Sequence, residues 1–291
     1  MCLLSRKLKM NKAITFAPDQ PIYALLQCLA LAVSYVGCLY LFRRDLPRDH
    51  PVTIKNRMCS VAIVCVLAPF FLYSLGHVNE KEGCTLWQWM GINKFPLLGV
   101  LLPLLLTMIL FFGPLTLLLV DGGITEILQD LRDIGSSLRD LKWYRTFVAA
   151  PISEEFIFRS CMMPLLVPVF GLNKSVLLAP LFFGVAHFHH ISEQLKLGHD
   201  LGVVLVSAVF QMSYTTIFGA YSAFLFVRTG NILGPVACHC FCNYMGFPDF
   251  GGAFHSKHRL LLSVNFVVGL GLFLYLLYPM TDPVLFGTTC Y

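Results

Sequence analysis

The strongest constraint on this 291-residue chain is a succession of apolar runs, each of a length that suits a bilayer. A hydrocarbon core about 30 Å thick is crossed by roughly 20 residues of helix. Runs of that order recur at 21–42, 58–75, 95–120, 146–169, 175–190, 201–227, 231–249 and 260–278. Lipid offers no partner for backbone N–H and C=O groups, so such runs must satisfy them internally, as helices. The expected fold class is an all-α polytopic membrane protein with about eight transmembrane helices. Composition agrees, since 57% of residues are hydrophobic and only 13% charged, against about 25% charged in soluble domains.

The net charge of +5 is spread over short loops beside the apolar runs. That pattern suits contact with anionic lipid headgroups and argues against a nucleic-acid partner. The basic N-terminus, with Arg6, Lys7, Lys9 and Lys12, precedes a run that is too long for a signal-peptide core and ends in Arg43-Arg44, so a retained first span is expected. Placing both termini in the lumen puts twelve Lys and Arg on the cytosolic side against eight opposite, the arrangement that the positive-inside rule favours. The 11 cysteines lie mostly inside apolar runs with no repeated spacing. They are expected to be small membrane-buried side chains, without a disulfide framework.

Between the third and fourth runs, the segment Asp121 to Arg145 carries Ile124, Ile127, Leu128, Leu131, Ile134, Leu138 and Leu141 at spacings of three and four. Gly122-Gly123 precedes most of this pattern and Trp143-Tyr144 follows it. This predicts an amphipathic helix on the membrane surface, serving either as a linker or in gating substrate access.

Three runs differ from the others by carrying Glu154, Glu155 and Arg159, then His187, His189 and His190, then His239 and Asn243. An ionisable group at the middle of a membrane helix costs roughly 2.5–3.5 kcal/mol on insertion scales and normally faces the bundle interior for a functional reason. Glu155 and Arg159 are four apart and share a helix face, which permits a purely structural salt bridge. Glu154 has no polar residue three or four positions away and must find its contacts on another run. The small residues Gly184 and Ala186 before His187 allow close approach of a neighbouring helix or a substrate. His189 and His190, where the run meets a polar loop, suit an interfacial or supporting role. His239 and Asn243 are again four apart, able to donate toward one point.

A carboxylate, two histidines and an amide in an apolar bundle have the elements of hydrolysis. Glu154 can take a proton from a water shared with His187, and His239 with Asn243 can hydrogen-bond an oxyanion. A zinc hydrolase remains open because two histidines and a glutamate form a known zinc set, although no HExxH occurs. Cysteine catalysis through Cys161 or Cys242 is also open, as is a proton-coupled transporter or a silent scaffold.

The set Glu154-Glu155-x-x-x-Arg159, Phe183-x-x-x-His187 and His239-x-x-x-Asn243 resembles the three motifs of the CAAX protease and bacteriocin-processing family of intramembrane glutamate endopeptidases. The contexts Phe182–His190 and Phe241–Pro248 are similar to its eukaryotic type II CAAX prenyl protease branch. The resemblance implies an endoplasmic reticulum enzyme that removes the last three residues of farnesylated or geranylgeranylated CAAX proteins, small GTPases among them. It implies no cofactor, with zinc the alternative. It also implies that Glu154 and His187 activate water, His239 and Asn243 form the oxyanion hole, and Glu155 and Arg159 support the site. Residues 1–291 would then be one membrane domain, with N-terminal spans and the amphipathic helix in 1–145, catalytic helices in 146–250, and the last span and tail in 260–291. Phe182, Phe183 and Phe188 are candidates for the isoprenoid path, in competition with ordinary packing in a chain of 25 phenylalanines.

Overall fold

The computed structural model describes residues 12–16, 20–41, 46–79, 83–92, 97–121, 123–287 and 290–291. Arg6, Lys7, Lys9, Arg43, Arg44 and Gly122 lie outside these, as do the side chains of Ile124, Ile127, Leu131 and His189.

The described residues open with a short strand β1 (Ala13–Thr15), followed by α1 (Pro21–Cys38) and α2 (Pro51–Leu75), and return in β2 (His77–Asn79), which pairs antiparallel with β1. Both long helices begin with proline in the first turn, where its missing N–H costs no hydrogen bond. A one-turn helix α3 (Leu86–Trp89) follows, closed by a capping box between Thr85 and Gln88. Then come α4 (Leu98–Leu110) and α5 (Phe112–Val120), bent by 67° to each other.

The polar centre of the sequence is built from shorter pieces. A π-helical turn at Arg145–Ala149, α9 (Ala150–Glu155), a second π-helical turn at Phe156–Cys161 and α10 (Met163–Phe170) follow one another. This order counts α6 (Gly123–Arg132), α7 (Ile134–Ser137) and α8 (Leu141–Tyr144) just before them. The C-terminal half holds α11 (Leu172–Ala186), α12 (His189–Lys196), α13 (Leu201–Thr229), α14 (Leu233–Met245), α15 (Phe250–His255) and α16 (Arg259–Leu276).

The architecture is the expected all-α polytopic membrane protein. Among the described residues, five helical stretches are long and apolar enough to cross a membrane: α1, α2, the Leu172–Lys196 stretch, α13 and α16. The bent pair α4 and α5 brings the number to six where the pair is counted as one broken span. The runs 146–169 and 231–249, read as two further spans, do not form long uninterrupted helices. Two π-turns divide the first, which also contains Pro151, Pro164 and Pro168. Gly230 and Gly246, both with positive φ, bound the second. Its helix, α14, has 13 residues, about 20 Å of rise. These two interrupted runs carry Glu154, Glu155, Arg159, His239 and Asn243.

The predicted amphipathic helix is segmented into α6, α7 and α8. Asp140 ends the pattern by capping α8, its carboxylate accepting from the Lys142 N–H at 2.9 Å. Leu128, Ile134 and Leu138 remain exposed, as a face lying on lipid requires. Asp49, before α2, ties this arm down through Arg145 at 2.8 Å and Lys142 at 3.0 Å. The hydrogen bonds from Arg145 and Lys142 hold the Asp49 carboxyl below the usual range.

One expectation is overturned. Cys84 and Cys290, 206 residues apart, form a disulfide. Spacing arguments miss it because the two partners are far apart in the chain and are brought together only by the fold. The disulfide belongs to a cap that closes one end of the bundle. Trp89 donates from Nε1 to the Ile14 carbonyl at 2.8 Å, and the Tyr291 hydroxyl donates to the Trp89 carbonyl. Tyr291 also packs edge-on against Trp89 and Phe226, each at 5.4 Å. Closing so long a loop constrains the unfolded chain, and loss of a disulfide typically costs about 2–4 kcal/mol. Cys84→Ser is therefore expected to lower the thermal unfolding midpoint in detergent, and dithiothreitol to have the same effect on the wild type but none on the variant.

Candidate active site

The site rests on the close packing of α11 against α13. Gly184 lies so near α13 that a Cβ there would stand 2.3 Å from Thr216 Oγ1. Gly219 does the same from the other side, its imagined Cβ being 3.0 Å from Pro180 and 3.1 Å from a terminal nitrogen of Arg159. The small residues before His187 thus admit a helix. They bring α13 against the acidic segment.

Glu155 is fully buried and has three donors. Arg159 Nε approaches Oε2 at 3.2 Å, the Ser222 hydroxyl reaches the same oxygen at 2.5 Å, and His239 Nδ1 lies 2.7 Å from Oε1. An ionised carboxylate only accepts, so this set of donors suits the charged form. The salt bridge expected from the four-residue spacing is present. Arg159 is 1% exposed, its guanidinium 4.6 Å above the ring of Phe183, an arrangement that offsets part of the cost of a buried cation.

The contact from His239 to Glu155 orients the imidazole. With Nδ1–H donated to Glu155, Nε2 is directed at Glu154, 3.7 Å from its Oε2. That is an ion-pair distance and longer than a hydrogen bond. Phe218 packs on the His239 ring at 4.9 Å and Phe183 at 6.2 Å. Glu154 has thus found its contact on another helix, as its own helix required. His187 donates from Nδ1 to the Phe183 carbonyl at 2.8 Å, which leaves the lone pair of the neutral ring on Nε2. Asn243 donates from Nδ2 to the Thr146 carbonyl at 3.0 Å, and this fixes its amide.

A cavity of about 1440 Å³ runs through the bundle, and Glu154, His187, His239 and Asn243 all line it. Glu155 and Arg159 stand behind this wall, touching His239 and Phe183. His190 lines the cavity too, with its Nδ1 3.3 Å from Glu193. Of the three phenylalanines assigned to an isoprenoid path, Phe183 lines the cavity, whereas Phe182 and Phe188 do not. Further phenylalanines on the wall include Phe111, Phe218, Phe247, Phe250, Phe266 and Phe273. Cys242 is on the wall and Cys161 is not, being buried in the core among α1, α2 and α10. Among the described residues, no group of three His, Cys, Asp or Glu side chains is arranged to hold a metal ion.

Sequence reasoning misses three contributors. Ser222 is a lone hydroxyl in a small-residue stretch, Gly219-Ala220-Tyr221-Ser222-Ala223, and that clustering of small and polar residues in an apolar span is the signal available. Tyr35 of α1 hydrogen-bonds Ser153 at 2.9 Å, directly before the two glutamates. The Thr146 carbonyl, which binds Asn243, lies in a π-turn and has no sequence signal.

Comparison with known proteins identifies a family. Residues 139–245 match the family model described as "Type II CAAX prenyl endopeptidase Rce1-like". The chain is 48% identical to CAAX prenyl protease 2 of Homo sapiens, over 91% of this chain and 83% of the human protein. It is 32% identical to CAAX prenyl protease 2 of Arabidopsis thaliana, over 91% of each, and 32% identical to that of Saccharomyces cerevisiae, over 76% of this chain and 78% of the yeast protein. No solved structure matches. The three polar motifs, their convergence on one cavity and the extent of these likenesses lead to one conclusion: the chain belongs to the type II CAAX prenyl endopeptidase family.

Proposed function

We propose that the chain is an intramembrane endopeptidase of the endoplasmic reticulum that hydrolyses the peptide bond after the prenylated cysteine of CAAX proteins, small GTPases among them, releasing the C-terminal tripeptide. The observation that carries this reading is the convergence of Glu154, His187, His239 and Asn243, from three separate polar segments, on one cavity wall.

In this mechanism Glu154 takes a proton from water held between it and His187 Nε2, and the hydroxide oxygen attacks the scissile carbonyl. The oxyanion receives hydrogen bonds from Asn243 Nδ2 and from His239 Nε2 when that ring carries both protons. Two glutamates, Arg159 and a doubly protonated His239 sum to zero charge, so the buried set is balanced in that state. Collapse of the tetrahedral intermediate breaks the C–N bond, and Glu154 returns its proton to the departing amine. The products are a prenylcysteine carboxylate and a tripeptide. Glu155 acts as the positioning residue for His239, and Ser222 and Arg159 position Glu155.

The aromatic arm, from Phe111 through Phe250 and Phe266 to Phe273, is where the isoprenoid would lie. Each buried methylene contributes about 0.8 kcal/mol, so a substrate already anchored in lipid transfers into this arm with little change of environment.

The test is to incubate the purified protein with a farnesylated CAAX peptide and identify the products by mass. A released tripeptide is expected; an intact peptide would sink the proposal. The proposed mechanism routes no step through a metal, so the rate is expected to be unchanged after chelation and dialysis. Cys242→Ala is expected to keep it within about threefold, because no step passes through sulfur; a loss as large as that of Glu154→Gln would move catalysis to the thiol.

A further inference from the structure

One end of the cavity is cationic, and the proposed chemistry does not use it. Arg48, Arg57 and Arg145 all line the wall, beside His187 and His190. Their carboxylate partners do not line it. Glu193 contacts Arg57 at 2.7 Å and Arg48 at 3.9 Å, while Asp49 contacts Arg145 at 2.8 Å and also takes Lys142 at 3.0 Å. Among the described residues, two carboxylates thus serve these four cations, with His190 as a further contact of Glu193. They hold the guanidiniums from outside the wall, and Arg48, at 3.9 Å from its partner, is beyond hydrogen-bond range. A guanidinium presents five donors in a planar fork, more than one carboxylate contact consumes. The surplus donors and the surplus charge suit one more anion, a carboxylate above all.

Resting on the peptidase reading above, we infer that Arg48 and Arg57, with Arg145 beside them, bind the free C-terminal carboxylate of the substrate. The position fits. An extended tripeptide places its terminal carboxylate about 10 Å beyond the scissile carbonyl. From His187 at the reacting bond, the ring of His190 is 6.1 Å away, Glu193 is 3.3 Å from that ring, and Arg57 is 2.7 Å from Glu193. The aromatic arm would hold the prenyl group and the arginine cluster the chain end. The enzyme then measures the length between them, which is a specificity for three residues that needs no reading of their side chains.

The experiment compares kcat/KM for two farnesylated peptides of the same sequence, one ending in a free acid and one in an amide, with the wild type and with Arg48→Gln, Arg57→Gln and Arg48→Lys. The wild type is expected to prefer the acid by at least tenfold, about 1.4 kcal/mol, mainly through KM. Arg48→Gln and Arg57→Gln should bring that ratio toward one, while Arg48→Lys retains much of it. Arg48 is half exposed, so its variant is a test independent of folding. Equal rates of the wild type on acid and amide overturn the inference. So does a parallel fall on both substrates at an unchanged ratio, the result expected if the cluster holds a lipid phosphate or only braces α2. Failure of the peptidase reading looks different: neither peptide is cut by the wild type.

Discussion

Glu154→Gln is expected to reduce tripeptide release by about 10²–10⁴-fold, the usual contribution of a positioned general base, with no change in the amount or thermal stability of the folded protein. The second half of that expectation follows from the contacts. Glu154 lines the cavity and receives neither the Ser222 hydroxyl nor Arg159, both of which go to Glu155. Among the described residues its close charged contact is His239 Nε2 at 3.7 Å, and His239 stays anchored by Glu155. Glutamine keeps the size and loses the basicity. A variant that keeps more than a tenth of the wild-type rate would pass the base role to His187.

Arg159→Ala should have the opposite signature, a loss of the fold before any loss of chemistry is measurable. Removing one member of a buried ion pair costs about 3–5 kcal/mol, because the other charge stays buried without its partner. Here the remaining charge is Glu155, fully buried and left with Ser222 and His239. The change also leaves a void over Phe183, whose ring carries the guanidinium. A lowered unfolding midpoint in detergent and reduced accumulation in membranes are expected. Arg159→Lys should fall between, since an ammonium keeps the charge but not the planar fork over the ring. An unfolding midpoint equal to that of the wild type in Arg159→Ala would falsify the structural role given to this pair.

The two adjacent glutamates show what sequence can and cannot separate. Helical geometry alone assigns Glu155 to Arg159 and sends Glu154 to another helix, and both are found. It does not reveal that Glu155 also holds His239, because that contact depends on how α14 sits against α9, a packing fact with no local signal. The all-α membrane character was legible from apolar length, and the three polar segments from the cost of burying charge. The number of clean spans was not, because hydropathy measures how apolar a run is and says nothing of the π-turns and glycine breaks that divide 145–170 and bound α14. That Phe182 and Phe188 lie off the cavity wall was not legible for a similar reason. Proximity to His187 in sequence does not decide which way a ring points, Phe182 being on α11 and Phe188 just beyond its end, and the cavity's aromatic wall is drawn largely from other helices.

The disulfided cap and the arginine cluster sit at opposite ends of the same two helices. The cap gathers β1, which precedes α1, and β2, which follows α2. Arg48 and Arg57 lie where α2 begins, and from Arg57 to Leu75 the helix rises about 27 Å, close to the thickness of a bilayer core. Disulfides persist in oxidising compartments and are rare where glutathione keeps thiols reduced. Cys84–Cys290 therefore works as a built-in marker of sidedness. The arginine end of the cavity lies at the far end of α2 from that marker, so on the peptidase reading proposed above a substrate's peptide tail would be received, and the fragment released, on the reducing side.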